Sequence, residues 1–256
     1  MHLLLRNPAI ACKDSLAGET GMGGVVTIPV PGGGAMPAWM ARPACEAIGT
    51  VVLLHEIFGL NRSMRALADW IVGLGHIALV PDLWWREAPG ELDPDAGPPA
   101  WTRAMALLRD LDEPRAVADA AAALDVARRL PGCNGRVAVV GFCLGGRLAM
   151  RLAAAGAGDA HVSYYGVGIE AMLEELVPSR APLLLHLAAR DRFVPPPAQA
   201  AILAGLAHRP DVEVVVHSGA DHAFARAGAR SFDAQAAAVA HARTAALLAR
   251  CLGSAP

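Results

Sequence analysis

The sequence predicts an α/β fold: a mostly parallel central sheet with helices on both faces, in a single domain. Three observations carry this. Short apolar runs rich in β-branched residues recur at 51–54, 77–80, 136–140, 161–165, 182–187 and 212–217, and strands that lack polar alternation are covered on both faces. Helical spacing of apolar residues fills much of the chain between those runs, and strands separated by helices build parallel sheets. No fixed-period repeat or linker splits the 256 residues, a length that suits one large domain.

Taken in order, residues 1–24 read as a loosely ordered leader ending in the glycine-rich stretch 18–24, with the folded domain at 25–256. Segments 25–30 and 36–40, separated by Pro31-Gly-Gly-Gly34, predict a hairpin. The run 51–54 is a strand, and 63–74 is a helix with Met64, Leu67, Ala68 and Ile71 on one face. A second strand at 77–80 stops at Pro81-Asp82, and 113–130 is a strong Ala/Val/Leu-faced helix. The strand at 136–140 runs into a glycine-flanked turn and a helix over 147–155. Further strands at 161–165, 182–187 and 212–217 alternate with helices near 198–207 and 235–251. The Pro/Gly-rich stretch 88–99 is the longest irregular segment and is expected as a surface loop near the strand ends.

Composition narrows the function. A 54% hydrophobic chain buries enough surface to offset its ordering entropy, and no apolar run approaches the roughly 18 residues of a membrane span. A net charge of −2 argues against a nucleic-acid protein held by phosphate contacts. The single lysine, Lys13, lies in the leader, which argues against a Schiff-base or cofactor-anchoring role. Cys12, Cys45, Cys133, Cys143 and Cys251 form no CxxC pair and no zinc pattern, so neither disulfides nor a metal is expected. The three-leucine patch at the start is cut by Arg6 and Asn7, too short for a signal-peptide core, and a reducing cytoplasm is expected. His2, His76, His161, His186, His208, His217 and His241 show no ligand spacing and read as structural or solvated.

The most informative segment is Val137-Ala-Val-Val-Gly-Phe-Cys-Leu-Gly-Gly146. A strand feeds a sharp turn with glycines two residues before and two after Cys143, and a helix follows: the G-x-S-x-G turn with Cys in place of Ser. Side chains at the flanking positions would collide with neighbouring elements, and the helix N-terminus favours thiolate. A dinucleotide-binding loop would need glycine where Cys143 stands. A buried structural cysteine is the plain alternative.

Partners follow in chain order. Asp191 lies in the loop after strand 183–187, and His222 in the loop after strand 212–217. Nucleophile, acid, base is the order of α/β-hydrolases, with Asp191 orienting His222 and His222 activating the nucleophile. A solvated loop acid and an exposed loop histidine are the alternatives. Glu56, in His55-Glu-Ile-Phe-Gly-Leu-Asn61, also sits at a strand's C-terminal end. A carboxylate near a thiol disfavours thiolate; a salt-bridged rim glutamate is the alternative. No histidine lies four residues after His55, so this is not a zinc-protease helix.

His55-Glu-Ile-Phe-Gly-Leu-Asn61, Pro81-Asp-Leu83, Gly141-Phe-Cys-Leu-Gly-Gly146, Tyr164-Tyr-Gly-Val-Gly168, Asp191-Arg-Phe-Val-Pro195 and His222-Ala-Phe-Ala-Arg226 resemble the dienelactone hydrolase (carboxymethylenebutenolidase) family, from about residue 25 to about 252. The resemblance implies an α/β-hydrolase fold, a Cys143–His222–Asp191 triad and a thiol-gating Glu56. It implies oxyanion donors from the Ile57 and Leu144 N–H groups, and substrate-carboxylate binding by Arg86 and Arg226. Guanidinium groups suit that role, being always charged and forked to match a carboxylate; surface arginines are the alternative. Tyr165 is expected to line the pocket, or else to pack at a strand end. The sequence departs from the family at Ala223, where serine is frequent, and at His55, where glutamine is frequent; His55 is a second titratable group that could alter the thiol's pH response.

The expected function is therefore a cysteine hydrolase opening an anionic enol-lactone through a thioester, without metal or organic cofactor, with no nucleic-acid or membrane partner, and, by the resemblance, monomeric. The rivals are an esterase or lactonase of the same fold acting on another ester, and a non-catalytic carboxylate binder or thiol redox sensor, for which Cys133 is a weak resolving candidate.

Overall fold

In the computed structural model, which describes residues 23–44, 46–87 and 91–253, eight strands pair into one sheet. In chain order they are β1 (Gly24–Pro29), β2 (Ala35–Ala41), β3 (Thr50–Leu54), β4 (Ile77–Pro81), β5 (Val137–Phe142), β6 (Ala160–Tyr164), β7 (Leu183–Ala188) and β8 (Val212–His217). The α-helices between and after them are α1 (Arg62–Gly73), α2 (Pro98–Arg109), α3 (Glu113–Arg128), α4 (Leu144–Ala154), α5 (Leu173–Leu176), α6 (Pro196–Leu206) and α7 (Ala234–Leu252).

The strand order is β1-β2-β4-β3-β5-β6-β7-β8. The pairs β1–β2 and β2–β4 are antiparallel and the rest are parallel. From β3 the chain winds to β4 on one side, then crosses back to place β5 on the other. The C-terminal ends of β3 and β5 thus border the switch point, where open α/β sheets bind ligands. Glu56 follows β3 and Cys143 follows β5.

The uninterrupted apolar runs are explained by two cores. Val52 and Leu54 face Leu124, Leu148 and Ile202 from α3, α4 and α6. Val51 and Leu53 face Met64, Ile71, Leu247 and Leu248 from α1 and α7. Side chains alternate across a strand, so β3 is buried at every position. Asn61, Asp112 and Asp233 cap α1, α3 and α7 by accepting from Met64, Arg115 and Ala236 N–H, each worth about 1 kcal/mol. No helix among the described residues is long and apolar enough to cross a membrane.

The expected elements are present with shifted ends. β6 stops at Tyr164 rather than 165 because Tyr165 adopts φ 42°. α4 begins at Leu144, directly after Cys143, rather than at 147. The helix α2 was not expected: Pro98 and Pro99 occupy its first turn, where a missing N–H is harmless, and the prolines masked the apolar spacing behind them. Of the expected leader, residues 1–22 lie outside the described residues, while Gly24 already pairs with Met40 in the sheet.

Candidate active site

Cys143 sits between β5 and α4 with φ 53° and ψ −113°, a conformation L residues adopt only under constraint. Its N–H donates to Tyr164 O at 3.0 Å, and Gly145 N–H donates to His55 O at 3.1 Å, lashing the turn to β6 and β3. The glycines are steric necessities. A Cβ at Gly141 would lie 1.9 Å from Gly145 O, and one at Gly145 would lie 2.1 Å from Leu54 O. The non-glycine residues with positive φ among those described are Cys143, Tyr165 and Ala223. Cys143 and Ala223 line one cavity and Tyr165 packs against His222 behind it, so local backbone strain is concentrated there.

Asp191 is buried beyond β7, with Oδ1 accepting Phe193 N–H at 2.8 Å and Oδ2 2.7 Å from His222 Nδ1. Phe193 and Tyr165 meet the His222 ring edge-on at centroid distances of 4.8 and 5.0 Å, fixing its plane. Burial alone would lower the pKa of His222, but the Asp191 hydrogen bond and the neighbouring Cys143 side chain outweigh it and raise it to about 10. Of the three residues predicted from chain order, Asp191 and His222 are hydrogen-bonded and Cys143 lines the same cavity as His222. Cys133 precedes β5, so about 20 Å of strand separates it from Cys143, which leaves it no resolving role.

Glu56 is buried and lines the same cavity as Cys143. Its Oε1 accepts Tyr165 O–H at 3.1 Å and its Oε2 lies 2.5 Å from Arg226 Nη1. Burial first, and then the Glu56 carboxylate, hold the Tyr165 phenol protonated, which makes it the donor. Glu56 is thus held by Arg226 and Tyr165. Tyr165 itself stands behind Glu56 rather than on the wall of the main cavity, and packing against the His222 ring is its second contact.

Ile57 and Leu144 line the cavity at the ends of β3 and β5, and neither backbone N–H is hydrogen-bonded to another described residue. His55 is no second titrating partner for the thiol. It is fully buried, with Nδ1 2.6 Å from Glu56 O and Nε2 accepting Leu83 N–H at 2.9 Å, and burial pushes its pKa down. Ala223 presents only a methyl group to the cavity.

Arg86 departs most from expectation. Its guanidinium forks onto Asp119, with Nη2 3.0 Å from Oδ1 and Nη1 on Oδ2, and it stacks on Trp85 at 4.0 Å. Asp119 is buried on α3 and also accepts Trp85 Nε1–H at 3.1 Å. Arg86 does not line the cavity. A forked pair with a buried carboxylate accounts for its charge.

The cavity holds about 730 Å³. Phe58, Trp101, Met105 and Leu108 form an apolar wall, with Phe58 and Trp101 packed edge-to-face at 4.9 Å. Arg147, Arg192 and Arg230 also border it, Arg147 being paired with Glu113 at 2.6 Å. None of these was singled out in the sequence; the apolar spacing behind Pro98-Pro99 was the available signal for the α2 residues. Among the described residues no cluster of three or more His, Cys, Asp or Glu side chains could hold a metal ion.

The strand order, the strained turn after β5 and the acid and base loops after β7 and β8 define an α/β-hydrolase fold. Comparison with known proteins narrows the class. The model of the dienelactone hydrolase family matches residues 36–252. Carboxymethylenebutenolidase 1 of Cupriavidus pinatubonensis is 37% identical over 225 residues, covering 88% of this chain and 95% of that protein. Carboxymethylenebutenolidase of Pseudomonas putida is 39% identical over 207 residues, covering 80% and 87%. A crystal structure of a candidate dienelactone hydrolase from Klebsiella pneumoniae superposes with a TM-score of 0.79 at 27% identity, covering 91% of this chain and all of that one. The chain belongs to the dienelactone hydrolase family, and it is a hydrolase of that type.

Proposed function

We propose that the protein opens a carboxylate-bearing enol-lactone of the dienelactone class, using Cys143 as nucleophile and passing through a thioester. The observation that carries the reading is the Asp191–His222 hydrogen bond beside Cys143, on a cavity that Cys143, His222 and the Glu56-bound Arg226 all line. The relatives named carboxymethylenebutenolidase support the substrate class.

The substrate carboxylate docks on Arg226 and competes there with Glu56, loosening the Glu56 carboxylate. The thiol proton passes to His222, whose raised pKa favours holding it beside a thiolate. The thiolate attacks the lactone carbonyl, and the oxyanion is received by the Ile57 and Leu144 N–H groups, donors worth roughly 3 kcal/mol each in comparable sites. Collapse expels the ring oxygen as an enolate, which takes its proton from His222. Water then attacks the thioester with neutral His222 as base, releasing the acid and regenerating the thiol.

The breadth of the cavity favours a second reading, an esterase of the same mechanism acting on a bulkier ester. The test is ultraviolet turnover of cis- and trans-dienelactone beside a simple aryl ester, with Cys143→Ala and stoichiometric thiol labelling in parallel. Cys143→Ala is expected to abolish turnover; a variant retaining the wild-type rate would remove the mechanism. Turnover of the aryl ester alone would move the substrate class to the second reading.

A further inference from the structure

The oxyanion donors are not equally supported. The Leu144 N–H is set by the start of α4. The Ile57 N–H belongs to a short turn after β3 and needs another constraint. That constraint comes from the peptide unit itself. The Glu56 carbonyl and the Ile57 N–H are two ends of one planar trans peptide and point in opposite directions. Whatever grips the carbonyl aims the N–H. His55 Nδ1 lies 2.6 Å from that carbonyl oxygen, while its Nε2 accepts the Leu83 N–H at 2.9 Å. A backbone N–H can only donate, so Nε2 carries no hydrogen and Nδ1–H is the donor to Glu56 O. The ring is thereby fixed in one neutral tautomer.

Two further contacts complete the brace. Trp84 Nε1–H donates to the Ile57 carbonyl at 3.0 Å, gripping the next peptide. The His55 carbonyl accepts the Gly145 N–H at 3.1 Å, so the same residue also fixes the turn that carries the Leu144 donor. Every group is buried, where hydrogen bonds polarise one another. A donor on the Glu56 carbonyl draws charge through the peptide and leaves the Ile57 N–H more positive.

We propose that His55 is a positioning residue for catalysis: through the Glu56–Ile57 peptide it aims and polarises the Ile57 oxyanion donor. The proposal rests on the hydrolase reading above, but not on the identity of the lactone. Its sign is specific. An oxyanion develops on a carbonyl in the transition state and not on bound ester, so the effect belongs to kcat rather than KM. Alkylation of the thiol by a haloacetamide is a displacement at carbon that develops no carbonyl oxyanion, so it reports the triad without the donor.

The test compares wild type, His55→Phe and His55→Asn on an activated aryl ester, with iodoacetamide alkylation of Cys143 in parallel. Phenylalanine fills the space without a donor, and asparagine places an amide N–H near the site of Nδ1. His55→Phe is expected to lower kcat about tenfold to a hundredfold, part of the loss seen on deleting a whole donor, with KM and the alkylation rate within about twofold. His55→Asn is expected to recover most of kcat. Equal loss of alkylation and turnover in both variants would mean a merely structural role, and unchanged kcat in His55→Phe would remove the role altogether; either overturns the proposal. If His55→Phe fails to fold, His55→Asn at the wild-type kcat supports the proposal, and His55→Asn with kcat and alkylation falling together overturns it. A wild type inert to every ester would instead overturn the hydrolase reading.

Discussion

Arg226 Nη1 lies 2.5 Å from Glu56 Oε2, joining the loop after β8 to the loop after β3. Both side chains are largely buried, 13% and 9% exposed. Burial opposes the charge on Arg226, and Glu56 more than restores it. Arg226 is the least exposed of the arginines that line the cavity, and under the proposed function a substrate carboxylate docking there would compete with Glu56. Arg226→Ala is expected to raise KM for an anionic lactone by roughly tenfold to a hundredfold, the value of a charge-assisted hydrogen bond. KM for a neutral aryl ester should move little. Equal effects on both substrates, read from steady-state kinetics, would deny the anion-binding role.

Arg86 makes the contrasting case. Its fork onto Asp119 ties the turn after β4 to α3, and removing one partner leaves the other buried and unpaired. Arg86→Ala is therefore expected to lower the thermal midpoint by several degrees while changing KM for the anionic lactone less than about threefold. A KM increase matching that of Arg226→Ala would restore Arg86 to the binding site.

The contrast between these arginines shows where sequence reading stops. The strands, the two-sided core and the order Cys143, Asp191, His222 were legible because each rests on local pattern: apolar runs, glycine spacing and loops after strands. The partner of a charged side chain is set by tertiary packing. Nothing near Arg86 in sequence points to Asp119, 33 residues on in α3. The same holds for Tyr165, whose neighbours in sequence do not reveal that its hydroxyl meets Glu56 from 109 residues away. His55 illustrates the other limit: its identity was plain, but its neutral tautomer depends on Leu83, just past the end of the neighbouring strand β4.

Trp101 and Met105 form the outer apolar wall, and a small lactone would leave much of the 730 Å³ unfilled. Pockets of 300–1,000 Å³ hold drug-sized ligands. Trp101→Ala is expected to reduce kcat/KM for a bulky aryl ester by about tenfold or more, while dienelactone changes less than about threefold. Parallel loss on both substrates would mean that α2 acts by shaping the whole site rather than by contacting the larger group.

Gly145 tests the turn itself. A methyl group there would sit 2.1 Å from the Leu54 carbonyl oxygen, a backbone atom that moves only with β3. Gly145→Ala is expected to destabilise the fold by about 1–3 kcal/mol and to impair turnover by displacing Leu144 and Cys143. Denaturant unfolding with an unchanged midpoint would show that the turn has slack the packing does not suggest.

His222 supplies the pH dependence. Its pKa in the fold, about 10, lies above the ordinary 6.5. A raised value means that the protonated form is the one stabilised. The stability it contributes is complete below about pH 6.5 and fades as pH rises through 10. Turnover through a thiolate–imidazolium pair should fall over the same alkaline range, as the proton needed by the leaving oxygen is lost. Removing a cause should move the limb in a known direction: Asp191→Asn takes away the carboxylate hydrogen bond, and the alkaline limb of kcat/KM shifts to lower pH. Cys143→Ala removes the other support, and the His222 ring resonances, followed by NMR, titrate at lower pH than in wild type. A ring that titrates unchanged in both variants would mean that neither neighbour sets its charge, and the Asp191–His222–Cys143 grouping would lose its role.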